Sequence, residues 1–182
     1  MAEEFNHELL CVLSGFGGQG LLFAGKVMAN CGLIDGRQVS WMPSYGPEMR
    51  GGTANCSVSL SDDAIGTPFI TKPTAVIAMN QPSLLKFEGD VTPAGRIFVD
   101  TSLVTRLPER TDVEVFALEA TNMAEDAKLK GLANIVLVGK MLKETGFCSV
   151  ETIEAAIRKA VPPKKAALIE KNLQALKIGM EA

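Results

Sequence analysis

The chain has 182 residues, with 18 Lys and Arg against 21 Asp and Glu for a formal charge of −3, and 47% of it is apolar. A nearly neutral chain without a basic run has no electrostatic footprint for nucleic acid, and its longest apolar runs, about five to seven residues, fall far short of the roughly 20 needed to span a membrane. His7 is the single histidine, and Cys11, Cys31, Cys56 and Cys148 show no CxxC spacing, which argues against an iron–sulfur cluster, a zinc site, or His- or Cys-borne catalysis on this chain alone. The acidic start, Met1-Ala2-Glu3-Glu4, lacks a signal-peptide layout and points to the cytoplasm, where the thiols stay reduced. One domain over 1–182 is expected, burying about 70% of its unfolded surface.

Leu9 to Ser14 is a continuous apolar run ending in glycines, as in a strand buried on both faces. Gln19 to Leu33 reads as a helix apolar almost all round, with Lys26 and Asn30 as one narrow polar line, so its own sheet, alone or with a second chain, should cover it. Val39–Met42 is a second strand, followed by a Pro- and Gly-rich stretch from Pro43 to Gly52. Thr53 to Ser61 alternates, with Ala54, Cys56, Val58 and Leu60 on one face and Asn55, Ser57, Ser59 and Ser61 on the other. That pattern suggests an antiparallel or edge strand rather than a central one. Ala75–Met79 and Arg96–Asp100 resemble central strands, and Val113–Ala117 is a sixth.

The C-terminal third is helical, at about Ala133–Thr145, Val150–Ala160 and Lys164–Lys177. Ser149 should cap the second of these, with Glu151 and Glu154 favoured by the helix dipole. Pro162-Pro163 should end it and open the third. In the third, Ala166, Ile169, Leu173, Leu176 and Met180 draw an apolar stripe. The fold class is therefore α/β: a mostly parallel sheet with flanking helices, a Rossmann-like start, an antiparallel edge strand and a helical end.

Gly15-Phe16-Gly17-Gly18-Gln19-Gly20 fits G-x-G-x-x-G between a buried strand and a helix, where glycines allow close approach and helix N–H groups attract an anion. Dinucleotide binding is one reading. Its second requirement, an acidic residue at the end of the next strand, fails at Trp41-Met42-Pro43-Ser44, and Asp35 lies at the wrong end. Tight strand–helix packing is the plain alternative. An anion site of another kind, or a loop completed at a subunit junction, stands between the two. Gly15, Gly17, Gly18, Gln19 and Gly20 are the candidate residues.

The segment Tyr45, Gly46, Pro47, Glu48, Met49, Arg50, Gly51 and Gly52 holds the only Tyr and lies close to the only Trp, in a chain with 5% aromatics. It is either a surface turn with a weak Glu–Arg pair or an interaction surface. Asn80-Gln81 and Asp100-Thr101-Ser102 also fall at strand ends, where ligands gather in open sheets. They read first as caps and turns, Asp100 among them, and no nucleophile, base and orienting partner come together.

Together with Ala75–Asn80 and Ala133–Gly139, the two glycine-rich segments make the chain resemble the gamma subunit of 2-oxoacid:ferredoxin (acceptor) oxidoreductases over nearly its whole length. The resemblance implies an enzyme that decarboxylates a 2-oxoacid on thiamine diphosphate, forms an acyl-CoA and passes two electrons through iron–sulfur clusters to ferredoxin. It implies that thiamine diphosphate and Mg belong to alpha and beta subunits and that clusters lie on other subunits, including a ferredoxin-like delta subunit, with CoA as co-substrate. On this reading the chain carries no catalytic residue. Its Gly15–Gly20 loop and Tyr45–Gly52 segment form the junction, and 2-oxoglutarate or a branched-chain 2-oxoacid is favoured. The competing reading is an autonomous nucleotide-binding protein. Whether the isolated chain forms a homodimer is left open by the sequence.

Overall fold

A computed structural model describes residues 8–44 and 53–182. In chain order the strands are β1 (Glu8–Phe16), β2 (Gln38–Ser44), β3 (Thr53–Ser61), β4 (Ala75–Ala78), β5 (Arg96–Asp100) and β6 (Glu114–Leu118). The helices are α1 (Leu21–Ile34), α2 (Gln81–Phe87), α3 (Ala120–Asp126), α4 (Ala133–Thr145), α5 (Val150–Ala160) and α6 (Leu168–Glu181). The sheet order is β2-β3-β1-β4-β5-β6. From β1 through β6 neighbouring strands are parallel, while β3 runs antiparallel to both β1 and β2.

The alternation in β3 therefore marks an antiparallel strand, as expected, but not an edge. β3 is paired on both sides, and β2 takes the edge. Its hydroxyl face misleads because Ser59 and Ser61 are buried, and Ser61 Oγ accepts a hydrogen bond from Asp63 N at 3.1 Å. Serine is small enough to sit under covering chain while its hydroxyl is satisfied locally.

One face of the sheet presents Leu9, Cys11, Leu13, Cys56, Val58, Leu60, Ile77 and Phe98 to the larger core, shared with α1, α4 and α5. The other face offers Val12, Val76, Ala78, Ile97 and Val99 to Leu84 of α2, with Val91 and Val104. Helix α1 lies so close to β2 and β3 that a Cβ on Gly25 would meet Cys56 Sγ at 2.6 Å, and one on Gly32 would meet Val39 Cγ2 at 2.6 Å. With α5 on its far side, α1 is covered largely by its own chain. Asn30, expected on a polar line, is buried, whereas Leu33 and Ile34 at its end are exposed.

Ser149 caps α5 by accepting from Thr152 N at 3.0 Å. The stripe expected near the C-terminus is displaced only at its start. The first turn after Pro162 is a 3-10 turn (Pro163–Lys165) with nothing buried and Ala166 is exposed, whereas Ile169, Leu173, Leu176 and Met180 pack on the core as expected, joined by buried Asn172, Ala175 and Gly179. The added burial reflects close approach to α4: a Cβ on Gly139 would run into the Leu176 carbonyl, and one on Gly179 into the Val136 carbonyl.

Candidate functional site

The strand ends gather the site. β1 leads into its glycine loop at the same end of the sheet where β2 stops and β3 begins, with Gly15 opposite Ala54, Phe16 opposite Thr53 and Ser44 opposite Asn55. The register thus brings the base of the Tyr45–Gly52 segment beside the Gly15–Gly20 loop. Tyr45, Gly46, Pro47, Glu48, Arg50, Gly51 and Gly52 themselves lie outside the described residues, as does His7.

The loop is held by its own glutamine. Gln19 Oε1 accepts from Phe16 N at 2.5 Å, and Gln19 Nε2 donates to the Met79 carbonyl at 3.2 Å, beyond the end of β4. A Cβ on Gly15 would strike Gln19 Oε1 and lie 3.1 Å from Met79 Cβ, so this position needs glycine for close approach. Gly18 and Gly20 have φ of +94° and +75°, conformations that L side chains rarely adopt. Gly20 is the N-cap of α1, with no side-chain cap. Its carbonyl accepts from Asn134 Nδ2 at 2.8 Å.

Two clefts flank the loop. One, of about 230 Å³, is lined among the described residues by Phe16, Leu21, Leu22, Ala54, Ser44 and the loop glycines. The other, of about 220 Å³, lies toward α3 and α4 and carries Gln19, Thr121, Glu125 and Lys130. Two of those polar groups are already engaged: Gln19 as above, and Thr121, whose Oγ1 donates to Asp100 Oδ2 at 2.6 Å. Asp100 is fully buried and also accepts from Ser102 N and Thr121 N, so it ties the end of β5 to α3. Asn80 likewise caps α2, accepting from Ser83 N at 2.8 Å. Both are the structural residues that their positions suggest.

This geometry does not assemble a dinucleotide site. Ribose recognition needs the end of the second strand next to the glycine loop. Here β3 separates β2 from β1, a distance of about two strand spacings of 4.8 Å. The sheet reverses its winding between β1 and β4, and the Gln19 side chain spans that crevice to Met79.

The thiols do not form a ligand set either. Cys11, Cys31 and Cys56 are buried and Cys148 is half-buried. Burial pushes the Cys11 thiol up, with Cys56 nearby adding to the effect, and pushes Cys56 itself up to about 12. Cys148 is raised by its hydrogen bond with Cys31 and then by burial. Among the described residues no group of three or more His, Cys, Asp or Glu is placed to hold a metal ion. These residues do not fit a magnesium–diphosphate site or an iron–sulfur cluster, and no helix among them is long and apolar enough to cross a membrane. Among the described residues the loop lies preset between two clefts, tied by Gln19 and Asn134, a geometry that can shape and hold a neighbour.

The fold thus sets a glycine loop at the mouth of a mixed sheet, at the end where β2 stops and β3 begins. The chain belongs to the pyruvate ferredoxin/flavodoxin oxidoreductase family, whose model matches residues 11–182. It is 37% identical over 173 residues to the 2-oxoglutarate synthase subunit KorC of Methanocaldococcus jannaschii, covering 93% of this chain and 90% of that one. It is 35% identical to the ketoisovalerate oxidoreductase subunit VorA of Methanothermobacter marburgensis over 96% of this chain, but spans only 36% of that protein. Among solved structures, the keto/oxoacid ferredoxin oxidoreductase gamma subunit of Geobacter sulfurreducens superposes with a TM-score of 0.81 at 35% identity, over 95% of this chain and 96% of that one. A 2-oxoglutarate:ferredoxin oxidoreductase from Magnetococcus marinus shares the fold with a TM-score of 0.85 at 19% identity, over 97% of this chain and 31% of that one. The chain is thus of the gamma-subunit type, and its relatives are subunits of multisubunit oxidoreductases.

Two residues at the site escape a motif-based reading. Met79 acts through its carbonyl, which leaves no trace in side-chain chemistry. Asn134 does leave one: it is the single polar residue within Ala133–Val138, a run otherwise entirely apolar.

Proposed function

We propose that this chain, as one domain over 1–182, is the gamma subunit of a thiamine-diphosphate-dependent 2-oxoacid:ferredoxin oxidoreductase in the cytoplasm, with 2-oxoglutarate or a branched-chain 2-oxoacid as the favoured substrate. In that enzyme the 2-oxoacid loses CO2, its acyl group is transferred to CoA, and two electrons leave for ferredoxin. Thiamine diphosphate and Mg are assigned to alpha and beta subunits, and the iron–sulfur clusters to partners that include a ferredoxin-like delta subunit. The observation that carries the proposal is the end-to-end correspondence with a 2-oxoglutarate synthase subunit. The cleft beside the loop supports a junction role, because the large side chains among its described lining, Phe16, Leu21 and Leu22, are apolar, as in the buried core of a protein interface.

In this reading Gly15, Gly17, Gly18, Gln19 and Gly20 form one side of the subunit junction, and Tyr45, Gly46, Pro47, Glu48, Arg50, Gly51 and Gly52 the other. The test is affinity purification of the tagged chain from its host, followed by CoA-dependent ferredoxin reduction with a panel of 2-oxoacids. Two thiamine-binding subunits should copurify, and Arg50→Ala should weaken assembly or turnover. A chain that purifies alone or as a homodimer, and binds a nucleotide at micromolar strength, would overturn the proposal in favour of an autonomous nucleotide-binding protein.

A further inference from the structure

We propose that Asn134 is a positioning residue for the β1–α1 loop, acting through the Gly20 carbonyl on the rim that meets a partner subunit; this rests on the gamma-subunit reading above. Asn134 lies in the first turn of α4 and is 3% exposed. Its Nδ2 donates to Gly20 O at 2.8 Å, while its Oδ1 is buried without a donor among the described residues. A buried amide with one end unmet stabilises a core less than an apolar side chain of similar volume. Packing therefore does not account for an asparagine here. What it contributes is the bond to Gly20.

That bond lands at a conformationally demanding point. Gly20 is left-handed and caps α1, and a Cβ on it would sit 2.6 Å from Asn134 Nδ2. The other foot of the loop is held by Gln19, through Phe16 N and the Met79 carbonyl. Two amide side chains from different elements thus fix the loop from below. At its apex a Cβ on Gly18 would meet nothing within 4 Å among the described residues, and Gly18 lines both clefts. A rim held in its bound form has less freedom to lose when a partner docks.

The test compares Asn134→Leu with Thr145→Val in the full chain, alone and coproduced with its partner subunits. Thr145 is at the far end of α4, where its Oγ1 donates to Met141 O at 2.7 Å, so its loss reports stability alone. Asn134→Leu should speed amide exchange at residues 16–20 at least tenfold and weaken assembly at least tenfold. Thr145→Val should leave both within twofold, and Asn134→Gln, which retains the donor, should recover part of the loss. Asn134→Ala replaces the leucine variant if that one does not fold. Unchanged exchange at residues 16–20, or equal weakening of assembly by Asn134→Leu and Thr145→Val, overturns the positioning role. Faster exchange in a chain that assembles with no other subunit leaves the anchor standing and overturns the gamma-subunit reading, and the partner-directed role with it.

Discussion

Gly139 of α4 and Gly179 of α6 face each other so closely that each backbone fills the space a side chain on the other would need. Helix axes normally pass 8–10 Å apart, and glycines at this crossing leave no room for a side chain: a Cβ on Gly139 would run into the Leu176 carbonyl and one on Gly179 into the Val136 carbonyl. Gly179→Ala should therefore destabilise the chain by about 1–3 kcal/mol through overpacking. For a chain of this size that is a fall of roughly 2–12 °C in Tm, since about 1 kcal/mol shifts it 2–4 °C. Thermal unfolding followed by circular dichroism reads it. An unchanged Tm would mean that the helices can part at no cost.

Gly15 and Gln19 make a second, coupled pair. Gly15→Ala should expel the Gln19 amide from its place against Phe16 N and the Met79 carbonyl, costing about 1–2 kcal/mol for the hydrogen bonds lost. In a Gln19→Ala background the same change meets no glutamine. The double variant should then lose less than the sum of the singles, by at least about 0.5 kcal/mol. Denaturant titration of the four proteins closes the cycle, and strict additivity would refute the coupling.

The buried thiols give a pH dependence with a definite sign. Cys56 ionises near 9.0 when exposed and is pushed up to about 12 by burial in the folded chain. Between those values the folded state holds a proton that the unfolded state has released, so stability is full below pH 9 and is lost as pH rises toward 12. Wild type should lose stability across that window more steeply than Cys56→Ala, whatever their difference at neutral pH. Equal slopes would show that the thiol does not ionise on unfolding. A thiol reagent at pH 8 should likewise find Cys11 and Cys56 unreactive until the chain unfolds.

Phe16 separates the proposed junction from the core. It is 38% exposed, at the last position of β1, and forms a wall of the apolar cleft. Phe16→Asp should leave Tm within about 2 °C, as surface changes do. It should also weaken association with the partner subunits at least tenfold, because a carboxylate would replace apolar surface and lose its water on docking. Copurification yield and native mass spectrometry measure this. Full assembly of Phe16→Asp would place the junction elsewhere.

The parts of this fold legible in the sequence are those where one local force dominates. The apolar runs of β1, β4 and β5, the Ser149 cap and the helices α4 and α5 all appear where hydrophobic pattern and capping place them. The two short helices α2 and α3 leave too few turns for a period to show, and each is held mainly by a long-range contact such as Asp100 to Thr121. The place of β3 between β1 and β2 is not written in β3 at all, since pairing on both sides depends on strands elsewhere in the chain. At the site, glycine spacing marks the loop. What it cannot reveal is that Gln19 turns inward to Met79, or that α4 reaches back across the sequence to hold Gly20.

The pairing of β2 with β3, from Gln38 opposite Ser61 to Ser44 opposite Asn55, has an engineering consequence. Strand register in this hairpin is set along the ladder, where a slip by one residue would turn Cys56, Val58 and Leu60 out of the core. Residues 45–52 join two strands whose register the ladder itself sets, which invites their exchange by design. Exchanging them between relatives that serve different 2-oxoacids should alter which assembly accepts the chain while leaving the scaffold intact.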